Sequence, residues 1–582
     1  MTPPAPSGES HRYADARRIP GCEWLVALRE RHHPGGVDDQ IVAVPARETG
    51  PVVVLLAGRD FYAAPRPSPS GRHLAWLCWD HPNMPWDGCE LWIADLDGPR
   101  LNARLLLAGG VTESVGQPTW SPDGRLWFTS DRAGWWQPYR TASFEKDAGP
   151  SSDAHRRQTE RVCGEEAEFH SPDWVLGQKT FDFLSDGTLI ARMRRSGVDQ
   201  IVAVDATSGE VAVVPQPCVT ISSLAVARLS NSVPAARSAS EEVGLGDELV
   251  VVLGATPDQP AGIYEVQATR AVAAIGVVQT TYGPRTRTGA TASEKAAEDL
   301  VRYFHLRSPT KAPLDANRVS RSRPMDFETV GGVKAHLLYF EPVDAFSEAA
   351  EKPPLVVWCH GGPTGAVEPG FDAGIQFWTS RGIAVAAVDY RGSAGYGRAY
   401  RELLTGLWGV ADAEDCAAAA RFLVGEGFCD GGRVAIRGAS AGGLTALRAA
   451  TPGGPFAAAV VAYGVSDLRT LAQDTHKFES RYLDGLVGPW PEAAEIYDER
   501  SPARHPEWVG VPVLLLQGSE DPVVPPSQAS RLANSLRARG IRCDHVVFEG
   551  EGHGFRRAET LAQAARAELA FLGEVLGLAS LS

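Results

Sequence analysis

The sequence predicts two domains of unlike architecture: an all-β propeller of about seven blades over residues 1–320, and an α/β domain with a mainly parallel sheet over residues 321–582. Three observations carry the prediction. Short β-rich runs separated by turn clusters fill the first part, with helical periodicity scarce until the 290s. A turn closed by glycine and opening a strand recurs there, at SPSGRHLAWLCW from Ser68, SPDGRLWFTS from Ser121 and LSDGTLIARM from Leu184. From Met325 onward apolar strands alternate with helical stretches, the pattern of parallel strands joined by crossover helices.

The chain begins MTPPAPSGESHRYADARR, which has no apolar core and no cleavage site after one, so no signal peptide is read there. The longest apolar runs, such as VVVLLAG from Val52, are far too short to span a bilayer. The expected location is the cytoplasm. A 44% apolar composition over 582 residues is ample for large cores. The net charge of −15 argues against nucleic acid and anionic membranes as partners. Nine scattered cysteines with no C-x-x-C pair read as reduced, mostly buried residues, not as a zinc site or a disulfide frame.

In the first domain, ELWIADLDG and QIVAVDATSGE supply further strand-turn pieces. Repeats of this kind mark propeller blades, and about 310 residues at ~44 per blade give roughly seven. The turn glycines at 71, 124 and 187 lie farther apart than one blade, implying long loops or insertions. A pair of β-sandwiches is the alternative. The polar stretch from Arg285 to Pro324 reads as the last blade and the crossing into the second domain.

The second domain opens with a hairpin, MDFETVGGVKAHLLYFEP, and centres on RVAIRGASAGGLTALRAA. Here a strand, a tight turn and a helix follow one another, and the turn reads Gly438-Ala439-Ser440-Ala441-Gly442. This is the Gly-x-Ser-x-Gly elbow, which holds a serine in a strained conformation at the tip of a sheet. A serine nucleophile needs a base, and the base needs a carboxylate to fix its tautomer. Both follow in the order this fold requires, Asp521 just past the strand Val511 to Leu516 and His553 between two glycines after the strand CDHVVF. His545 and His476 compete as bases. His545 lies inside the strand, however, and His476 in a polar segment with no strand end to carry it. Upstream, the apolar strand PPLVVWC runs into His360-Gly361-Gly362-Pro363. Such a glycine-rich loop offers one amide to a developing oxyanion, assigned to Gly362, and Ala441 after the nucleophile offers the other.

Together HGGPTG, DYRGSAGYGRAY, LWGVADAEDC, GASAGG, LLLQGSEDPVVPP and EGEGHGF resemble the catalytic domain of the prolyl oligopeptidase family of serine peptidases. The His-Gly-Gly-Pro loop is similar to that of its acylaminoacyl-peptidase and aminopeptidase branch, and the motifs run over nearly all of residues 321–582. The resemblance implies an α/β-hydrolase covered by a propeller that admits short peptides and excludes folded proteins. It also implies acidic propeller side chains that hold a free α-ammonium, for which Glu168, then Glu165 and Glu166, are the candidates; a solvated acidic loop is the alternative. Val465, Leu468, Phe478 and Tyr482 follow the strand after the elbow helix, where such folds place the pocket for the residue before the scissile bond. Core packing is the alternative for them. Arg391 reads as fixing its loop through a carboxylate.

The expected function is therefore a serine exopeptidase cleaving short peptides or aminoacyl amides, with no metal or cofactor. A small-molecule amide or ester hydrolase, such as one acting on an aminoacyl antibiotic, is the alternative, and an idle hydrolase on a propeller scaffold is a third reading. Preferred side chain, physiological substrate and homo-oligomerisation are left open.

Overall fold

A computed structural model of the chain describes residues 4–47, 50–144, 159–228, 248–266, 303–307, 314–343 and 352–578. The chain divides into two compact units, Met1–Thr256 with Ala261–Lys311, and Pro257–Pro260 with Ala312–Ser582. Much of the crossing segment expected from Arg285 to Pro324 lies outside the described residues.

In the first unit, five four-stranded antiparallel sheets follow one another along residues 10–56, 61–109, 115–161, 181–214 and 220–307. Within each sheet the strands pair in chain order. The opening strand of a sheet packs on the sheet before it: Phe61–Pro67 on the first sheet, Val115–Trp120 on the second and Thr220–Arg228 on the fourth. This is the way propeller blades succeed one another. Gln117 bonds the third sheet to the fourth, its Nε2 donating to Phe181 O at 2.8 Å.

The repeated turn lies between the first two strands of a sheet. In the second, third and fourth sheets, the amides of Gly71, Gly124 and Gly187 donate to the carbonyls of Ser68, Ser121 and Leu184 at 2.9, 3.0 and 3.0 Å. The first sheet has the same turn without the sequence signature, Cys22 N donating to Ile19 O at 3.4 Å. Against an expectation of about seven blades, the described residues form five such sheets. The length-based estimate assumed ~44 residues per blade, whereas the sheets begin at Ser10, Phe61, Val115, Phe181 and Thr220, mostly farther apart than that.

The second unit is built on one eight-stranded sheet. Its strands are β1 (Ser322–Glu328), β2 (Lys334–Phe340), β3 (Leu355–Cys359), β4 (Ala384–Asp389), β5 (Val434–Ala439), β6 (Ala458–Ala462), β7 (Val513–Gly518) and β8 (Cys543–Phe548). They lie in the order β1-β2-β4-β3-β5-β6-β7-β8. β1 and β2 form the antiparallel hairpin, β2 meets β4 antiparallel, and from β4 to β8 every pairing is parallel. β4, β6 and β7 are buried at every residue. That burial is why AVAAVD, AAVVA and VLLLQG read as apolar runs without alternation. Helix Ala411–Gly425 packs on β3, β4 and the elbow helix Ala441–Ala449, and helix Ala558–Val575 packs on β6 and β7. Leu338, Val356, Val460, Leu514, Phe571 and Leu572 are among the side chains that close the core.

All nine cysteines are free, and eight are buried. No helix among the described residues is long and apolar enough to cross a membrane.

Candidate active site

Ser440 stands between β5 and the helix Ala441–Ala449 with φ 55° and ψ −123°. A residue with a side chain rarely adopts this backbone. Here it is held by three hydrogen bonds: Ser440 N donates to Ala462 O at 3.1 Å, and Ser440 O accepts from Gly443 N at 2.9 Å and Val465 N at 3.2 Å. The flanking glycines are required by close approach. A Cβ on Gly438 would lie 1.9 Å from Gly442 O, and one on Gly442 would lie 2.5 Å from Cys359 O and 2.6 Å from His360 O.

The loops after β7 and β8 are tied together, with Ser519 N donating to Phe548 O at 3.0 Å and Glu520 N to Glu551 O at 2.9 Å. Those bonds bring the loop of Asp521 beside the loop of His553. Asp521 Oδ1 accepts from the amides of Val523 and Val524, both at 2.9 Å, and Oδ2 accepts from Gln517 Nε2 at 3.2 Å. His553 Nδ1 lies 2.9 Å from Asp521 Oδ2, and His553 Nε2 lies 2.8 Å from Ser440 Oγ. Since the other neighbours of the Asp521 oxygens are donors, Nδ1 carries the proton. Nε2 is thus left to accept from the serine hydroxyl. The carboxylate is sealed, its side chain 0% exposed, while the imidazole keeps 22%. Tyr463, at φ 39°, sets its ring against the imidazole at 5.1 Å in an edge-on contact. The structure therefore brings Ser440, His553 and Asp521 into one hydrogen-bonded line, as the sequence order implied.

The competing bases stand elsewhere. His545 is on β8, where burial lowers its pKa. His476 lies 3.7 Å from Glu479 in a polar turn.

The His360–Pro363 loop follows β3 and abuts the elbow. A Cβ on Gly361 would lie 3.4 Å from Ala439 O and 3.6 Å from Ser440 Cβ. The loop is braced by the Asp389–Tyr400 segment: the His360 ring stacks on Tyr390 at 4.2 Å, and His360 Nε2 lies 2.7 Å from Ser393 Oγ. Asp389 accepts from Val367 N and from Tyr396 OH, both at 2.8 Å. Arg391 joins Asp415 and Glu414, the carboxylate pairing expected of it.

The pocket candidates separate. Tyr482 is not simply a wall: its hydroxyl accepts from Thr364 N at 3.0 Å and lies 2.6 Å from Thr364 Oγ1, so it holds the end of the His360–Thr364 loop. Leu468 is 0% exposed, and its amide donates to Ser501 Oγ at 2.9 Å. It belongs to the core, a correction to the pocket reading. Its place at the start of helix Leu468–Gln473 turns it inward. Val465 is buried beside Ser440, and Phe478 is half-buried.

In the first unit, Glu168 is 1% exposed and its Oε2 accepts from Trp136 N at 2.8 Å, so this carboxylate is part of the sheet packing. Glu165 pairs with Arg195, and Glu166 is exposed.

Beneath the elbow, helix 411–425 carries Asp412, whose oxygens accept from Thr445 Oγ1 at 2.5 Å and Gly409 N at 2.7 Å. Burial pushes its carboxyl up to about 6. On β5, Arg437 is partly buried between Glu568, at 2.8 Å, and the face of Trp358. Burial works against its charge, but Glu568 outweighs that and raises its pKa. Sequence reading missed Gln517, Tyr463 and Thr364. Gln517 stood inside LLLQGSEDPVVPP, where a polar amide near the end of an otherwise apolar strand, four residues before Asp521, was the available signal.

The family model of the prolyl oligopeptidase family matches residues 369–579. The chain is 31% identical to dipeptidyl aminopeptidase BIII of Pseudoxanthomonas mexicana over 38% of its own length and 33% of that protein. It is 28% identical to acylamino-acid-releasing enzyme 1 of Oryza sativa subsp. japonica over 37% of its length and 29% of that protein. These alignments span about a third of the length of the curated relatives. Two solved structures are similar over almost the whole chain. A puromycin-hydrolyzing peptidase of Mycobacterium tuberculosis superimposes with a TM-score of 0.82 at 36% identity, covering 99% of this chain and 81% of that one. A puromycin hydrolase superimposes with a TM-score of 0.83 at 34% identity, covering 99% and 80%. With a run of four-stranded sheets followed by a mainly parallel eight-stranded sheet, an elbow serine and this likeness over both units, the chain belongs to the prolyl oligopeptidase family.

Proposed function

We propose that the chain is a serine exopeptidase of the aminopeptidase or acylaminoacyl-peptidase type, which cleaves short peptides or aminoacyl amides through an acyl-enzyme on Ser440. One observation supports the reading above others: the unbroken hydrogen-bond line from Ser440 Oγ through His553 to Asp521 at the ends of parallel strands. In this reading His553 Nε2 takes the hydroxyl proton as Oγ bonds to the acyl carbon. The carbonyl electrons move to oxygen, where the amides of Gly362 and Ala441 receive the charge. As the C–N bond breaks, the imidazolium returns the proton to the departing amine, and Asp521 stabilises its charge meanwhile. Water, deprotonated by the same histidine, then releases the acyl group.

Puromycin, which the two structural relatives similar over almost the whole of this chain hydrolyse, is itself an aminoacyl amide, and this favours a second reading in which a small aminoacyl amide is the substrate. Val465 and Phe478 are proposed to face the acyl side chain. Glu168, Glu165 and Glu166 are proposed to answer a substrate ammonium: Glu168→Gln, which keeps an acceptor for Trp136 N, should raise KM for free-amine substrates and spare N-blocked ones. The proposed location is the cytoplasm, and the proposed blades are the five described sheets. A fluorophosphonate should label wild type and not Ser440→Ala. Aminoacyl-, acyl-aminoacyl- and dipeptidyl-nitroanilides and puromycin, compared side by side, then rank the substrates. Absence of labelling and of all four hydrolyses refutes the proposal.

A further inference from the structure

Gln517 is the penultimate residue of β7, four residues before Asp521, and is 1% exposed. Its Nε2 faces three acceptors, Asp521 Oδ2 at 3.2 Å, Val524 O at 3.2 Å and Gly518 O at 3.3 Å. Its Oε1 is buried with no hydrogen-bond partner among the described residues. The amide is therefore held one way round. Turned over, it would set oxygen against three oxygens, so the fold keeps the acceptor end unsatisfied to keep the donor end on Asp521. The bond ends on Oδ2, the same oxygen that receives His553 Nδ1–H. The two amides on Oδ1 fix that oxygen alone.

We infer that Gln517 is a positioning residue for the triad: its N–H shares the charge on Asp521 Oδ2 and sets the direction in which that oxygen meets His553. The inference rests on the triad reading above. Two consequences distinguish it from a packing role. Without the donor, Oδ2 offers its whole charge to the imidazolium, which then gives up its proton at higher pH. Without the direction, the imidazole is less well aimed at Ser440, which slows the chemical step and leaves substrate affinity alone.

The test uses the full chain with its best nitroanilide substrate. Gln517→Met removes the donor at similar volume. Its kcat should fall about tenfold, well short of the ~100-fold that a 1 Å misplacement can cost, with KM unchanged and the acid limb of kcat/KM moved upward. Gln517→Glu keeps the shape and donates only while protonated, so it should acquire an alkaline fall in kcat/KM that wild type lacks. Either variant suffices if the other does not fold. Unchanged kcat and pH limbs in a folded variant, whatever its melting temperature, overturn the inference while wild type remains active. An inert wild type overturns the triad reading and this inference with it.

Discussion

Replacing Asp521 by asparagine tests the triad most sharply, because the surroundings dictate where the new NH2 group must go. At the Oδ1 position it would face the amides of Val523 and Val524, two donors at 2.9 Å. Backbone amides cannot become acceptors but an imidazole nitrogen can, so the NH2 takes the other position, opposite His553 Nδ1 and beside the Gln517 Nε2 donor. There the imidazole can respond only by moving its proton from Nδ1 to Nε2. Nε2 then points a hydrogen at Ser440 Oγ and cannot accept one. The same tautomer error costs about 10⁴-fold in kcat in serine peptidases, roughly 5 kcal/mol of transition-state stabilisation. Burial deepens the effect, since with the Asp521 side chain 0% exposed no water can take over its role. The expected result for Asp521→Asn is a loss of that order in steady-state kcat on a nitroanilide, with KM within a few-fold and an unchanged circular dichroism spectrum. A folded variant that keeps more than about a tenth of wild-type kcat would refute the assignment of Asp521 as the orienting carboxylate.

Tyr482→Phe strands the buried Thr364 amide, worth about 1–3 kcal/mol, and lets the loop of Gly362 shift. A roughly tenfold lower kcat at constant KM is expected, whereas a change in KM alone would return Tyr482 to a pocket role. Gly438→Ala drives a Cβ against the Gly442 carbonyl, where both partners are backbone, so its cost should exceed the ~1–3 kcal/mol of ordinary overpacking. It should abolish fluorophosphonate labelling and sharply lower the melting temperature. Asp412, raised from 3.8 to about 6, contributes stability that is complete below its unfolded pKa and is lost as pH rises through about 6. The full difference is worth on the order of 3 kcal/mol, of which about 1.4 kcal/mol is lost between pH 5 and pH 8. Melting curves at pH 5 and pH 8 should therefore show a fall for wild type that Asp412→Asn lacks, and parallel falls would contradict it.

The hydrogen-bonded line of Ser440, His553 and Asp521 could be anticipated from the chain because its markers are local and ordered. Gly-Ala-Ser-Ala-Gly-Gly announces an elbow by the absence of side chains, and Asp521 and His553 each stand just past an apolar strand. The sheet could be read for the same reason, since strands buried on both faces, such as VLLLQG, leave no doubt about their surroundings. What could not be read depends on which way a side chain turns. Tyr482 and Leu468 share an apolar appearance, yet one hydroxyl reaches Thr364 across 118 positions of chain and the other side chain lies in the core. Glu168 stood in an acidic run, and nothing in that run signalled that it is buried with one carboxylate oxygen on the Trp136 amide. The sheets of the first unit were countable only where a Ser/Asp-Gly turn marked them. The first sheet closes the same turn with Ile19-Pro20-Gly21-Cys22, which carries no such mark.

The space at Gly442 links two parts that are far apart in sequence. A methyl group there would strike the carbonyls of both Cys359 and His360, so the nucleophile's turn and the glycine loop rest on each other with room for a hydrogen atom only. Neither can be adjusted without displacing its counterpart. Selection for new substrates would then leave this seam untouched and act on surrounding side chains, and a laboratory library aimed at altered selectivity should spare residues 359–363 and 438–443 and diversify around Val465 and Phe478.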